Sequence, residues 1–401
     1  MKAFNHKEAD KVPIGEIDIN SSIASKILKK DIYIGWDARI FIEKKSDLLS
    51  CGRWQEYAIK NAQGIIEICN KLGFDFFRVN PNPGINEVKP QRISSNMWRY
   101  EDKNLGVWED VMVNKDSNTW CISNDFFKES GLSGFKKYLK EIKKIGPEKC
   151  RFGLSTGFSL VSGEIDNSEF VTQNIIKNDD KGKELFIVGN SRIPFPSYYS
   201  WMPKFMEWLI DEPVSIKEYC DFYSEVSLLY IKKQIENGIL GIIDANDFCY
   251  NSGPMISPKM FKEFIFPYIK KYVDFCHNKG VIFIKHIDGN IKPIEKELLL
   301  CTGIDGYHGI EPNAGMDIFD IKRKYGKRVT LIGNIDCSAE LVNGTKKDIL
   351  KKVKWLLKNI SPGGGHILSS SNAIHSGVSV DNFLYYLKIA DEFRNYPINF
   401  E

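Results

Sequence analysis

A histidine and an aspartate two residues apart, His286-Ile287-Asp288, close the apolar run Val281-Ile282-Phe283-Ile284 and are followed by Gly289-Asn290. In an extended strand, residues two apart face the same side, so imidazole and carboxylate can reach one centre. That pairing suits a metal ion of the zinc class or a general acid–base pair. A histidine held by an aspartate for purely structural reasons is the plainer alternative. Polar side chains also gather where other apolar runs end: Glu16, Asp18, Asn80, Asp244, Asp247, Glu311, Asn334, Asp336, Cys337, Asn372 and His375. Asp247 and Asp336 can equally cap the helices that follow them. His308 and His366, just inside strands, read as hydrogen-bonded structural residues, and a buried cysteine such as Cys337 is commonly inert.

The elements that must present these groups alternate. Strands are expected at residues 11–18, 74–80, 150–155, 241–245, 281–288, 306–312, 329–335 and 366–371, with helical sequence between them. The helix over 55–72 ends at Gly73, Ser257-Pro258 opens another as N-cap and N1, Pro267 predicts a break within it, and Thr345 with Asp348 makes a capping box. Eight strand–helix alternations whose strand ends are polar predict an α/β fold, a (β/α)8 TIM barrel over residues 1–401 as one domain. A doubly wound sheet is the alternative; it needs no closure between first and last strands. Two insertions interrupt the alternation after strands two and three, at about 84–145 and 158–215. Residues 93–123 alternate apolar and polar side chains as a small antiparallel excursion. The run 193–202 is dense in proline and aromatics, including Tyr199 and Trp201, which is either a satellite core or an aromatic wall over a flat substrate.

Composition removes other classes. The 55 basic and 52 acidic residues nearly cancel, leaving +3, which gives no reason to expect a nucleic-acid surface. No apolar run approaches the ~18 residues of a membrane span. Nine scattered cysteines without a CxxC pair, behind a start lacking an apolar leader, lead us to expect a reduced, cytoplasmic protein. GxGxxG, Walker, HExxH and GxSxG motifs do not occur.

The segments Gly253-Pro254-Met255-Ile256-Ser257-Pro258, His286-Ile287-Asp288-Gly289-Asn290, Gly333-Asn334-Ile335-Asp336, Leu341-Val342-Asn343-Gly344-Thr345 and Val380-Asp381-Asn382 follow one another in that order. With them the chain resembles the uroporphyrinogen decarboxylase superfamily, and most of all its corrinoid-linked, methylcobamide methyltransferase-like branch. The resemblance covers residues 240–395 well and 11–120 loosely. It implies a (β/α)8 barrel. The decarboxylases carry an arginine-rich N-terminal motif that grips substrate carboxylates, whereas residues 12–18 here are acidic and contain no arginine, which argues against porphyrinogen decarboxylation. The thiol-methylating branch binds zinc through His-x-Cys and a later cysteine. His286 matches that histidine, Asp288 stands at the first cysteine and Asn372 at about the later one. Oxygen in place of sulfur argues for a harder site and against thiol methylation.

The implied function is transfer of a methyl group from a small-molecule O- or N-methyl donor, such as an aromatic methyl ether, to a cobalt corrinoid (cobalamin) on a partner protein. This is O-demethylation of the kind used in anaerobic one-carbon metabolism. In that reading His286, Asp288 and Glu311 are catalytic, and His286 and Asp288 with Cys337 hold a metal, zinc being the candidate. Glu16, Asn80, Tyr199, Trp201, Asp247, Asn334, Cys337, Asn372 and His375 contact substrate. The alternatives are a uroporphyrinogen decarboxylase-like or other tetrapyrrole-binding protein, and a metal-dependent lyase or hydrolase on the same face. No nucleic-acid or membrane partner is expected. The lysines of 346–358 either dock an acidic corrinoid protein or form a solvated helix face.

Overall fold

A β-branched run buried on both faces must pair its backbone on both sides. In the computed structural model, which describes residues 1–155, 159–197 and 199–400, the run Ile282–His286 is the fifth strand of an eight-stranded parallel sheet. The others, in order around the sheet, are Gly15–Glu16, Phe76–Arg78, Phe186–Ser191, Gly241–Asp244, then Gly306–His308, Thr330–Ile332 and His366–Ile367 after the fifth. First and last strands meet through a parallel bridge between Ile14 and Leu368, with Leu368 N donating to Pro13 O at 2.8 Å. That closure makes the sheet a barrel and excludes the doubly wound alternative.

Alternation sorts side chains between two cores. Ile17, Phe76, Val188, Ile243, Ile284 and Ile332 fill the barrel interior, while Phe283, Ile242 and Leu331 face the helical layer. His286, two residues beyond Ile284, therefore points into the mouth of the barrel. Helix signals act as the sequence implies: the Ser257 hydroxyl accepts from Met260 N at 3.3 Å, the Thr345–Asp348 capping box forms, and the chain breaks at Ile265 before Pro267. No helix among the described residues is long and apolar enough to cross a membrane.

One expected strand is corrected. Residues 150–155 do not supply the third barrel strand: Cys150–Gly153 pairs antiparallel with Ser159–Ser162 as a hairpin outside the barrel. The third strand is Phe186–Ser191, parallel to both Phe76–Arg78 and Gly241–Asp244, inside the stretch read as an insertion. Both segments are short and apolar, so local pattern does not distinguish them. The hairpin strand carries Arg151, 1% exposed on its side chain and 3.4 Å from Glu87, an ion pair that the barrel wall has no counterpart for. The excursion between strands two and three is accordingly one long segment. It begins with the four-stranded antiparallel sheet Gln91–Ser94, Met97–Asp102, Val107–Asn114 and Thr119–Asp125.

Candidate active site

Strand five and the loop after strand four build the site. His286 and Asp288 share a face as the spacing requires, with Nε2 and Oδ1 3.7 Å apart. Asp247 approaches from the neighbouring loop, its Oδ1 3.7 Å from the same Nε2 and accepting from Asp288 N at 3.1 Å. One ligand-capable atom from each of the three lies within 4.8 Å of the others. Gly289 permits this placement. Its φ is +82°, and a Cβ there would sit 2.7 Å from Tyr250 O, so a side chain would push the strand end away from the loop that carries Asp247.

Two further locks hold the strand ends. The ammonium of Lys285, wholly buried beside a wholly buried Asp244 at 2.7 Å, also donates to Asn246 O and His286 O, both at 2.6 Å. It thus ties the backbone before Asp247 to that of His286. On the other side the Asn372 amide donates to Asp288 Oδ2, while its own carbonyl accepts from Ala373 N at 2.6 Å. Glu311 faces the same loop and accepts from Gly289 N at 3.0 Å.

Behind His286 runs a buried chain of hydrogen bonds. His286 Nδ1 lies 2.7 Å from His308 Nδ1, His308 Nε2 lies 3.5 Å from the Ser369 hydroxyl, and Ser369 donates to Glu16 at 3.1 Å. Burial holds both imidazoles well below the ordinary histidine range, with Lys285 adding to the effect on His286 and His286 to that on His308. Two neutral rings sharing one Nδ1–Nδ1 contact need one donor and one acceptor. If His286 donates, its Nε2 lone pair faces Asp247 and Asp288, and His308 passes its Nε2 hydrogen toward Ser369. That is the tautomer a metal on Nε2 requires. Burial also pushes Glu16 up to about 8, although Ser370 and Ser369 donate to it. Asp288 is raised far above the usual carboxylate range, first by burial and then by Asp247 and Glu311.

The donor set fits a divalent cation. Three carboxylates crowd one point, and Asp288 Oδ1 is buried without a hydrogen-bond partner. The 3.7 Å ligand separations are close to the roughly 3.3 Å edge of a tetrahedron with bonds of about 2 Å. Nitrogen and oxygen ligands without sulfur suit zinc or a harder ion.

The triad opens into a cavity of about 360 Å³ whose walls include Trp36, Trp120, Ile17, Arg78, Asn190 and Asn372. Trp120 Nε1 donates to Trp36 O at 2.7 Å, and Phe41 packs on Trp36 with ring centroids 4.3 Å apart. The sequence reading missed both tryptophans, Arg78 and the part played by His308. Trp120 lay in the antiparallel excursion, whose alternating pattern gave the one available signal that it packs against something.

Other sequence candidates lie elsewhere. Cys337 does not join the three: it is buried near Ser370 and Ser371, and burial pushes its thiol up to about 12, which disfavours the thiolate that metals bind. Asn334 donates to Ile310 O at 3.1 Å, and the His375 ring accepts from Gly377 N at 3.1 Å. Asp336 caps the turn after strand seven, accepting from Ser338 N and Ala339 N. Trp201 is 3% exposed among Phe127, Phe135 and Trp208. With Tyr199 it lines a small crevice apart from the triad cavity, so this run forms a satellite core; its Tyr198 lies outside the described residues. Asn80 lines a chamber adjoining the cavity.

A sequence model of a known family, described as "Uroporphyrinogen decarboxylase (URO-D)", matches residues 174–393, more than half of the chain. The chain belongs to the URO-D family. The match spans every motif on which the resemblance was read. Relatives in the family carry different activities. The uroporphyrinogen decarboxylase of Pseudoalteromonas translucida is 26% identical over 191 residues, 45% of this chain and 49% of that protein. The methylcobamide:CoM methyltransferase MtbA of Methanosarcina acetivorans is 28% identical over 226 residues, 54% of this chain and 63% of that protein. The chain thus spans about half the length of the curated URO-D relatives it matches. A solved structure of a methyltransferase from Methanosarcina mazei aligns over 98% of this chain and 97% of that one, with a TM-score of 0.57 at 18% identity, which shows a shared fold.

Proposed function

We propose that this URO-D family enzyme is a corrinoid-dependent methyltransferase that takes a methyl group from an O- or N-methyl donor, an aromatic methyl ether being the best fit, and passes it to a cobalt corrinoid on a partner protein. The observation that carries the reading is the convergence of Asp247, His286 and Asp288, with Asn372 on Asp288, at an apolar cavity walled by two tryptophans. The methyltransferase relative supports the reaction class. The sulfur-free donor set favours oxygen or nitrogen as the methyl-bearing atom.

Asp247, His286 and Asp288 would hold the ion, which when bound supplies Lewis-acid stabilisation of charge on the leaving heteroatom. The residues themselves divide the remaining work. His308 and Ser369 fix the His286 tautomer, Asn372 orients the Asp288 carboxylate, and Trp36 and Trp120 shape a flat site that sheds water. Asp288, protonated where no cation offsets Asp247 and Glu311, is also the group able to give a proton to the leaving oxygen. All nine cysteines are free, which supports a reducing, cytoplasmic setting.

The test is single-turnover methyl transfer to cob(I)alamin from a panel of methyl ethers, methylamines and methyl thioethers, with metal content measured in parallel. Transfer from an ether or amine but not from a thioether is expected. No transfer from any donor, with substoichiometric metal, would overturn the proposal. The decarboxylase relatives favour a second reading, porphyrinogen decarboxylation, but the segment that grips substrate carboxylates there is acidic here and its Glu16 is fully buried. Release of carbon dioxide from uroporphyrinogen would revive it.

A further inference from the structure

Beside the triad cavity lies a second, smaller chamber of about 100 Å³, and Ile17, Asp18, Trp36, Arg78 and Asn190 line both. Its outer wall comes from the excursion and from the helical turns that carry Phe41 and Lys45. Three cations border it, and all are buried: Lys45 is 5% exposed, Arg78 and Arg192 7% each. Lys45 reaches no carboxylate within 4 Å among the described residues. Its ammonium donates to Ser155 O at 2.5 Å and sits 3.8 Å from the Phe41 ring centroid, and burial lowers it to about 8. Arg78 touches Asp18 at a long 3.3 Å, and its Nε is buried with no hydrogen-bond partner. The Arg192 guanidinium lies 4.7 Å from the Phe152 ring.

Three carboxylates also line the chamber, but two are held from behind. Glu87 is engaged by Arg151 at 3.4 Å, and Glu169 accepts from the Tyr230 hydroxyl. Asp18 is left to answer three cations. Burying a cation without a close counter-charge costs several kcal/mol, so the chamber is poised for an anion. At about 100 Å³ it has room for a substituent and not for a second ring.

Resting on the methyltransferase reading, we propose that this chamber receives an anionic substituent of the methyl donor. The donor is then a flat, methylated compound with a carboxylate, its ring beside Trp36 and its methyl-bearing atom toward Asp247, His286 and Asp288. Charge-assisted bonds from Lys45, Arg78 and Arg192 would select it over neutral analogues.

Calorimetric binding of methoxybenzoate and its neutral isostere methoxybenzamide, with no corrinoid present, tests this without turnover. The carboxylate should bind more tightly by about tenfold or more. Lys45→Met should bring the two ligands to the same affinity, and Lys45→Arg should keep the preference; thermal melting of each variant shows whether it is folded. Equal affinity of the two ligands for the wild-type protein, or binding of neither, overturns the proposal, and that arm stands even if a variant fails to fold. A clear carboxylate preference without any methyl transfer to cob(I)alamin would sink the methyltransferase reading and leave the anion subsite intact.

Discussion

Replacing Lys285 by methionine tests how the site is held. The ammonium is wholly buried, 2.7 Å from Asp244, and donates to the carbonyls of Asn246 and His286, with the Phe248 ring 4.7 Å away. Methionine fills most of the same volume and removes the charge, leaving Asp244 buried without its counter-ion and two carbonyls without a donor. Breaking one side of a buried pair costs roughly 3–5 kcal/mol. An unfolding entropy of about 2.1 cal/mol/K per residue gives about 0.8 kcal/mol/K for this chain, so a loss of about 4–6 °C in Tm is expected. The pair Lys285→Met with Asp244→Leu should recover much of that loss, because no unpaired charge remains. Since the lysine ties the strand end of His286 to the loop of Asp247, zinc titration should show weaker binding in both variants, including the one whose stability returns. Scanning calorimetry and metal titration are the assays. A single variant that melts within about 1 °C of wild type would refute the buried-pair argument. Unchanged zinc affinity in both would refute the positioning role.

Further outcomes follow from the same geometry. His286→Ala should abolish stoichiometric metal binding, and His308→Phe should weaken it by about 10–100-fold as loss of an outer partner; zinc titration with unchanged affinity in His308→Phe would remove the tautomer argument. Cys337→Ala should leave metal content as it is, and loss of the ion on elemental analysis would make the thiol a ligand after all. Glu16 is raised from 4.5 to about 8 in the folded chain, so the unfolded chain ionises first. Stability should therefore fall as pH rises between those two values, by up to about 1.4 kcal/mol per unit, and level off above the folded value. Glu16→Gln should flatten that slope in denaturant melts, and an unaltered slope would show that Glu16 does not cause it. Asp18, raised to about 6 mainly by burial, adds a smaller slope of the same sign that the variant retains.

The sequence could be read well where physics is local. The His286–Asp288 spacing, the Ser257 and Thr345 caps and the Pro267 break each depend on residues a few positions apart, and each forms. The third strand could not be assigned locally. Cys150–Gly153 and Phe186–Ser191 are both short apolar runs, and only the available partners decide between an antiparallel hairpin and the barrel wall. The run holding Tyr199 and Trp201 has the composition of a substrate wall, yet its tryptophan is consumed by Phe127 and Phe135. The aromatic wall comes instead from Trp36 and Trp120, 84 positions apart in sequence and joined by one hydrogen bond.

The sequence by itself determined the barrel, its polar mouth and the His286–Asp288 pair, because a strand's period of two and the caps of its helices are fixed by neighbours along the chain. Tertiary structure alone decided that Asp247 completes that pair, that Cys337 stands apart, and that Lys285 locks two strand ends. It also decided that Lys45, Arg78 and Arg192 share a chamber beside the site. Those groups come from separate segments, and whether they meet depends on barrel closure and register, which no short stretch of sequence contains.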